Sequence, residues 1–103
     1  MESHVSKKND FKDHKLRWDL LPLTDLEEVV KLYTFGAEKY GDNNWQTLEN
    51  GYQRYKAAML RHLLEYEKGN TIDSESGCNH LAAVIWNAIA MYHVSRDNKK
   101  DKQ

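Results

Sequence analysis

The sequence predicts an all-α fold, a small bundle of three main helices, and three observations carry that expectation. A single proline stands among 103 residues. Apolar residues recur at spacings of three and four through the middle of the chain, and no stretch shows the strict alternation of a half-buried strand. Residues 16–95 therefore read as one helical domain. A polar, flexible arm precedes it over residues 1–15, "MESHVSKKNDFKDHK", and a solvated tail follows over 96–103.

The first helix is announced by Thr24-Asp25-Leu26-Glu27, which has the spacing of a capping box, with Pro22 just outside the hydrogen-bond ladder. Leu26, Val29, Val30, Tyr33 and Ala37 then make one apolar face, and Gly41 is placed to end the helix in a left-handed conformation. The second helix is expected from about Tyr52 to Lys68, with Tyr55, Met59, Leu63 and Tyr66 as its stripe, Ala58 and His62 alongside, and Gly69 closing it. The third is expected to begin near Ser74 or Ser76 and to continue to about Ser95. Its "HLAAVIWNAIAMYHV" is apolar almost all round, the pattern of a central, deeply buried helix. Two partner helices do not easily cover that much apolar surface, so the sequence also predicts a homo-oligomer, a dimer or larger.

Composition excludes several classes. Charged residues make up 30% of the chain but the net charge is −1, which gives no electrostatic support for binding a nucleic-acid duplex. The mean hydropathy of −0.87 is that of a soluble protein. No apolar run approaches the roughly 18 residues of a membrane span, and the first residues do not read as a leader. The lone cysteine, Cys78, fits a reducing cytoplasm and reads as a packing residue. There is no phosphate-binding GxxxxGK[ST], no GxGxxG, no paired CxxC and no HExxH.

Chemistry concentrates in three places. The joint "GAEKYGDNNWQ" holds Glu38, Lys39, Tyr40, Asn44 and Trp45, more functional groups than a helix connection needs. A turn explains Gly41, Asp42 and Asn43, and packing explains Trp45, but Glu38, Lys39 and Asn44 are left over. On the second helix Arg61 and Glu65 have pairing distance along the surface, and His62 lies three from Glu65. An arginine beside a histidine suits phosphate, which rewards a fork-shaped donor. On the third, His80 and Asn87 are two turns apart on one face of an apolar helix. Each needs a partner there, because an unpaired buried polar group costs about 1–3 kcal/mol. Ahead of them, Asp73 and Glu75 read either as dipole-matched caps or as oxygen ligands for Mg²⁺.

Taken together, "HKLRWDLLP", "FGAEKYGDNNWQ" and "RHLLEYEKGNTIDSESGCNHLAAVIWNAI" resemble a family of small phage and bacterial proteins, the N-terminal domain of dATP/dGTP diphosphohydrolase. That family is MazZ-like and more remotely similar to the MazG-like all-α nucleotide pyrophosphohydrolases. The resemblance covers about residues 15–92. It implies an all-α, oligomeric, cytoplasmic protein that binds purine deoxynucleoside triphosphates and, with Mg²⁺ or Mn²⁺, releases pyrophosphate to leave the monophosphate. Its pattern falls on Lys15, Arg17 and Asp19, then Glu38, Lys39, Tyr40, Asn44 and Trp45, then Arg61 and His62. Asp73, Glu75, Ser76, Gly77, His80 and Asn87 complete it. On this resemblance Glu38, Asp73 and Glu75 are the metal ligands, and Glu38, Glu75 and His62 the catalytic groups. Arg17, Lys39, Tyr40, Asn44, Trp45, Arg61, His80 and Asn87 contact the nucleotide. The MazG-like ExxE and ExxD carboxylate pattern is incomplete here: Phe35 precedes Glu38, and Cys78 follows Glu75. That departure gives the alternative expectation, a non-catalytic phage sponge that needs no metal. It would sequester a bacterial immune signal such as a cyclic oligonucleotide or a cyclic ADP-ribose derivative.

Overall fold

The computed structural model of the protein describes residues 14–102, and within the last helix its side chains as far as residue 96. Most of the expected arm, residues 1–13, lies outside the described residues. Three α-helices form the frame: α1 (Glu27–Tyr40), α2 (Gly51–Glu67) and α3 (His80–Lys102). Short 3₁₀ turns over Trp18–Leu20, Leu23–Leu26 and Asn44–Thr47 join them, and the described residues contain no strand beyond one antiparallel bridge between Ile72 and Asn79. The all-α bundle expected from the sequence is the fold. α2 and α3 pack along each other as the main pair, and α1 lies against α3.

The helix boundaries depart from expectation at both ends of the domain. The Thr24 capping box does not form. The chain arrives through the Leu23–Leu26 turn, and α1 starts at Glu27 without a side-chain cap. A 3₁₀ turn places Thr24 inside a ladder of its own, with its carbonyl accepting from the Glu27 N–H, so its hydroxyl is not at a helix start. α3 begins at His80, not at Ser74 or Ser76, and Asn79 caps it by accepting from the Leu81 N–H at 2.8 Å. At its far end α3 continues past Ser95 to Lys102. No glycine or proline interrupts "RDNKKDK", and extending an existing helix costs far less than starting one. The expected stops hold: Gly41 carries φ of 99° after α1, and Gly69 φ of 101° after α2.

The core is thin. Among the described residues, Val29, Tyr55, Cys78, Ala82, Ala83, Ala90 and Val94 are the buried apolar ones, and no large side chain is fully enclosed. α3 supplies most of them, yet its Ile85, Ile89 and Tyr92 remain exposed, so the helix read as apolar all round is covered on one side only. Among the described residues no helix is long and apolar enough to cross a membrane.

Candidate functional site

The loop between α2 and α3 is built tightly from its own polar groups. Asp73 donates its N–H to the Cys78 carbonyl at 2.8 Å and accepts from the Gly77 N–H at 2.7 Å. Its carboxylate accepts from the Ser76 hydroxyl at 2.9 Å, and the Thr71 carbonyl accepts from the His80 N–H at 2.8 Å. Gly77, with φ of 77°, makes the reversal that a Cβ would oppose. α1 holds this loop from outside: the Glu28 carboxylate accepts from the Asn79 N–H at 2.7 Å, and Cys78 is buried with its Sγ near the Glu28 carbonyl. Asp73 and Glu75 are therefore loop residues and do not occupy the first turn of α3.

This frame brings His62 of α2 against His80 at the start of α3, with Nδ1 to Nδ1 at 2.8 Å. His80 is 7% exposed. Its partner, required by burial, is His62. Asn87 (5% exposed) donates to the Ala83 carbonyl of its own helix at 2.8 Å. Burial pushes the His62 imidazole below its ordinary value, with His80 and Arg61 adding to the fall and Asp73 and Glu75 opposing it. At Asp73 burial works upward, but the hydrogen bonds from Ser76 and from backbone amides, with the charge of His62, hold its carboxyl below the usual range. Among the described residues, His62, Asp73 and His80 bring ligand atoms within 4.8 Å of one another.

Two hollows meet in front of this cluster. One is a cleft of about 570 Å³, lined on its charged side by Lys39, Arg54, Arg61, His62, Asp73 and Glu75. The other is a pocket of about 670 Å³ walled by Tyr33, Tyr40, Asn44, Trp45, Tyr55 and Trp86. They are adjacent, with Gly36, Tyr40, Leu48, Arg54, Tyr55 and Trp86 in the walls of both. The pocket's rings pack edge to face, Trp45 on Tyr33 at 5.7 Å and on Trp86 at 6.1 Å, and the Trp45 carbonyl accepts from the Tyr55 hydroxyl. The buried Nε1–H of Trp86 has no protein acceptor.

Of the residues read from the sequence, Lys39, Arg61, His62, Asp73, Glu75 and Asn87 line the charged cleft, Asn44 and Trp45 line the aromatic pocket, and Tyr40 lines both. Lys39 reaches the Glu75 carboxylate at 3.7 Å and lies over the rings of Phe35 and Tyr40. His80 stands behind His62. Glu38 lines a neighbouring groove with Leu23, Thr24 and Lys31, which shares Leu32, Phe35 and Ser76 with the charged cleft. Arg17 makes a two-point contact with Asp19, 2.8 Å at each atom, and lines none of these hollows. The proposed surface pair of Arg61 and Glu65 does not form, because Glu65 accepts from Asn70 at 2.7 Å and from Lys68 at 3.4 Å.

Sequence reasoning passed over Arg54, Tyr33 and Trp86. A signal for Arg54 was present: it lies seven residues before Arg61, with Ala57 and Ala58 between, so α2 presents two guanidinium groups separated by small residues. Such a face leaves room for a bound molecule. Trp86 and Tyr33 gave no distinct signal, since each sits in a run that reads as core.

The sequence comparisons bear on this arrangement. Residues 5–103 match the model of the family described as dATP/dGTP diphosphohydrolase, N-terminal. The chain belongs to that family. A relative in Salmonella phage PMBT28, itself named a dATP/dGTP diphosphohydrolase, is 45% identical over 56 residues. The matched stretch is 54% of this chain and 19% of that protein, so the similarity to this member of the dATP/dGTP diphosphohydrolase family reaches about a fifth of the relative's length. No solved structure matches.

Proposed function

We propose that this chain is a nucleotide pyrophosphohydrolase acting on purine deoxynucleoside triphosphates, dGTP or dATP. The observation that carries the reading is an aromatic pocket beside a cationic cleft, the two sharing Tyr40, Arg54, Tyr55 and Trp86 in their walls. A purine would sit against the ring wall of Tyr33, Trp45, Tyr55 and Trp86, with Asn44 on the same lining for its edge. The triphosphate then lies toward Lys39, Arg54 and Arg61. Both volumes fall within the range of small-molecule sites, about 300–1,000 Å³.

In the reaction, a water oxygen bonds to the α-phosphorus and the bond to the bridging oxygen breaks. Pyrophosphate leaves, and the monophosphate remains. Arg61 and Lys39 face the cleft where the leaving group's charge grows, the role of preorganised cations in such transfers. Mg²⁺ or Mn²⁺ would be held at the cleft by the carboxylates Asp73 and Glu75, with Glu38 on the neighbouring wall. Bound there, it supplies charge neutralisation and a more acidic water. His62, half-buried and held below its ordinary pKa, is a base candidate at the same wall. The protein acts in the cytoplasm of the cell that makes it, as an assembly of copies of this chain and with no nucleic-acid or membrane partner.

The incomplete carboxylate pattern, with Phe35 before Glu38 and Cys78 after Glu75, favours a second reading in which the same hollows sequester a nucleotide signal without turnover. Incubation of the protein with dGTP or dATP and Mg²⁺ or Mn²⁺, with pyrophosphate followed in time, separates the two. Turnover should appear and fall about tenfold or more in Arg61→Ala, the cost of a charged hydrogen bond. No pyrophosphate, together with intact nucleotide released on heating, replaces catalysis by sequestration. Glu38→Gln tests the carboxylate set: activity kept in that variant assigns the metal to Asp73 and Glu75 without Glu38.

A further inference from the structure

We infer that His62, Asp73 and His80 form a binding site for one divalent transition-metal ion of the Zn²⁺ or Co²⁺ type. The site shares His62 and Asp73 with the wall of the proposed nucleotide cleft, and an ion there would take the place of the base role of His62. It does not depend on the nucleotide reading. Three segments distant in sequence deliver the donors: the middle of α2, the loop, and the first residue of α3. Their ligand atoms lie within 4.8 Å of one another.

The donor chemistry selects the metal. Two imidazole nitrogens and one carboxylate oxygen suit zinc, cobalt, iron or nickel, whereas Mg²⁺ asks for oxygen throughout. The two Nδ1 atoms stand 2.8 Å apart. Tetrahedral ligands about 2.0–2.1 Å from a zinc ion stand about 3.3 Å from each other, so the two rings need to part by about half an ångström. That is a small side-chain adjustment for a half-buried His62. A hydrogen bond between the rings would satisfy one nitrogen of each, and the Asp73 carboxylate, already held by Ser76, has a ligand atom within 4.8 Å of both rings.

The surroundings have the form of an outer ligand shell. Asp73 Oδ2 accepts from both the Ser76 hydroxyl and the Ser76 N–H, at 2.9 and 3.3 Å, which orients the carboxylate. The backbone on either side is fixed, with Asp73 N–H on the Cys78 carbonyl and His80 N–H on the Thr71 carbonyl, both at 2.8 Å. His80 is buried behind the cluster, while His62 and Asp73 face the cleft. An ion here has a protein-covered side and a side open to solvent and to phosphate oxygens.

The test uses the untagged full chain and no nucleotide. Co²⁺ added to apo protein should bind at about one ion per chain with visible absorption bands, and Zn²⁺ should displace it while millimolar Mg²⁺ does not. Affinity in His62→Ala should fall by more than the roughly 10–100-fold typical of losing an outer-shell partner. His14→Ala, an exposed histidine outside the cluster, should bind as the parent does. Histidine NMR of the unaltered protein provides a check free of mutation: Zn²⁺ should shift the imidazole signals of both His62 and His80. Unchanged imidazole signals, Co²⁺ affinity retained in His62→Ala, or displacement by Mg²⁺ would each overturn the assignment. Nucleotide binding measured in EDTA is read separately, so a failed metal site and a failed nucleotide site give different results.

Discussion

At the scale of single residues, the molecule is defined by polar groups placed where burial forces each to find a partner. His80 finds His62, and Asn87 finds the Ala83 carbonyl one turn back on its own helix. Trp86 finds none: its indole N–H is enclosed, bordered by both hollows, and without a protein acceptor. A buried donor left unpaired costs about 1–3 kcal/mol, and a ligand acceptor relieves it once the rings of Tyr33, Trp45 and Tyr55 packed around Trp86 shift to admit one. Trp86→Phe should therefore leave the free protein as stable as before, or more so, because the orphaned donor is removed. The same change should weaken dGTP or dATP binding about tenfold, the loss of roughly one hydrogen bond. Calorimetric titration beside a thermal melt checks both halves. Equal affinity in the two proteins would place the indole outside the nucleotide contact.

At the scale of elements, the decisive segment is the loop that leads into α3. From sequence alone, serines and acidic residues before an apolar run read as the start of a helix, and Ser74 or Ser76 looked like its cap. The chain instead spends those groups on the loop: Asp73 on Ser76, Ser76 Oγ on the Cys78 N–H, Glu28 on the Asn79 N–H. Helix start signals and tight-turn signals use the same short polar residues, so local pattern does not distinguish them. Asn79 makes the cap in their place, and Asn79→Ala should lower stability by about 1 kcal/mol through the lost bond to the Leu81 N–H. A denaturant midpoint shifted with unchanged m-value is the expected readout. Because His80 is the next residue, the same variant should also loosen the His62 contact, seen as altered imidazole shifts.

At the scale of the whole molecule, the apolar surface is out of proportion to the core. Trp18 is 72% exposed, and Leu16, Leu20 and Leu23 flank it on the segment leading into α1. Leu60 and Leu64 of α2 are exposed, as are Ile89 and Tyr92 of α3, one and two turns after Ile85. Isolated apolar residues on a surface are ordinary, but so many beside a core with no fully enclosed large side chain support assembly with further copies. Light scattering on a sizing column should give a mass at least twice the 12.1 kDa of one chain. Leu60→Glu combined with Ile89→Glu should reduce the mass toward that of one chain. A parent protein that elutes as one chain at high micromolar concentration would remove the oligomer.

What the residues determined unaided is the set of helices, their approximate lengths, the Gly41 and Gly69 stops, and the family motif with its polar positions. These depend on neighbours three to five residues apart, and periodicity and backbone freedom act at that range. What only the tertiary structure decided is which groups meet. Glu38 and Lys39 are consecutive, yet about 100° of helix rotation between them puts the lysine in the charged cleft and the glutamate in another groove. His62 and His80 are 18 residues apart and touch because the loop folds back through its own hydrogen bonds. Arg54 joined the site only when α2 was laid against α3. Convergence of that kind is set by how helices pack and how a connecting loop closes, and no local pattern carries it.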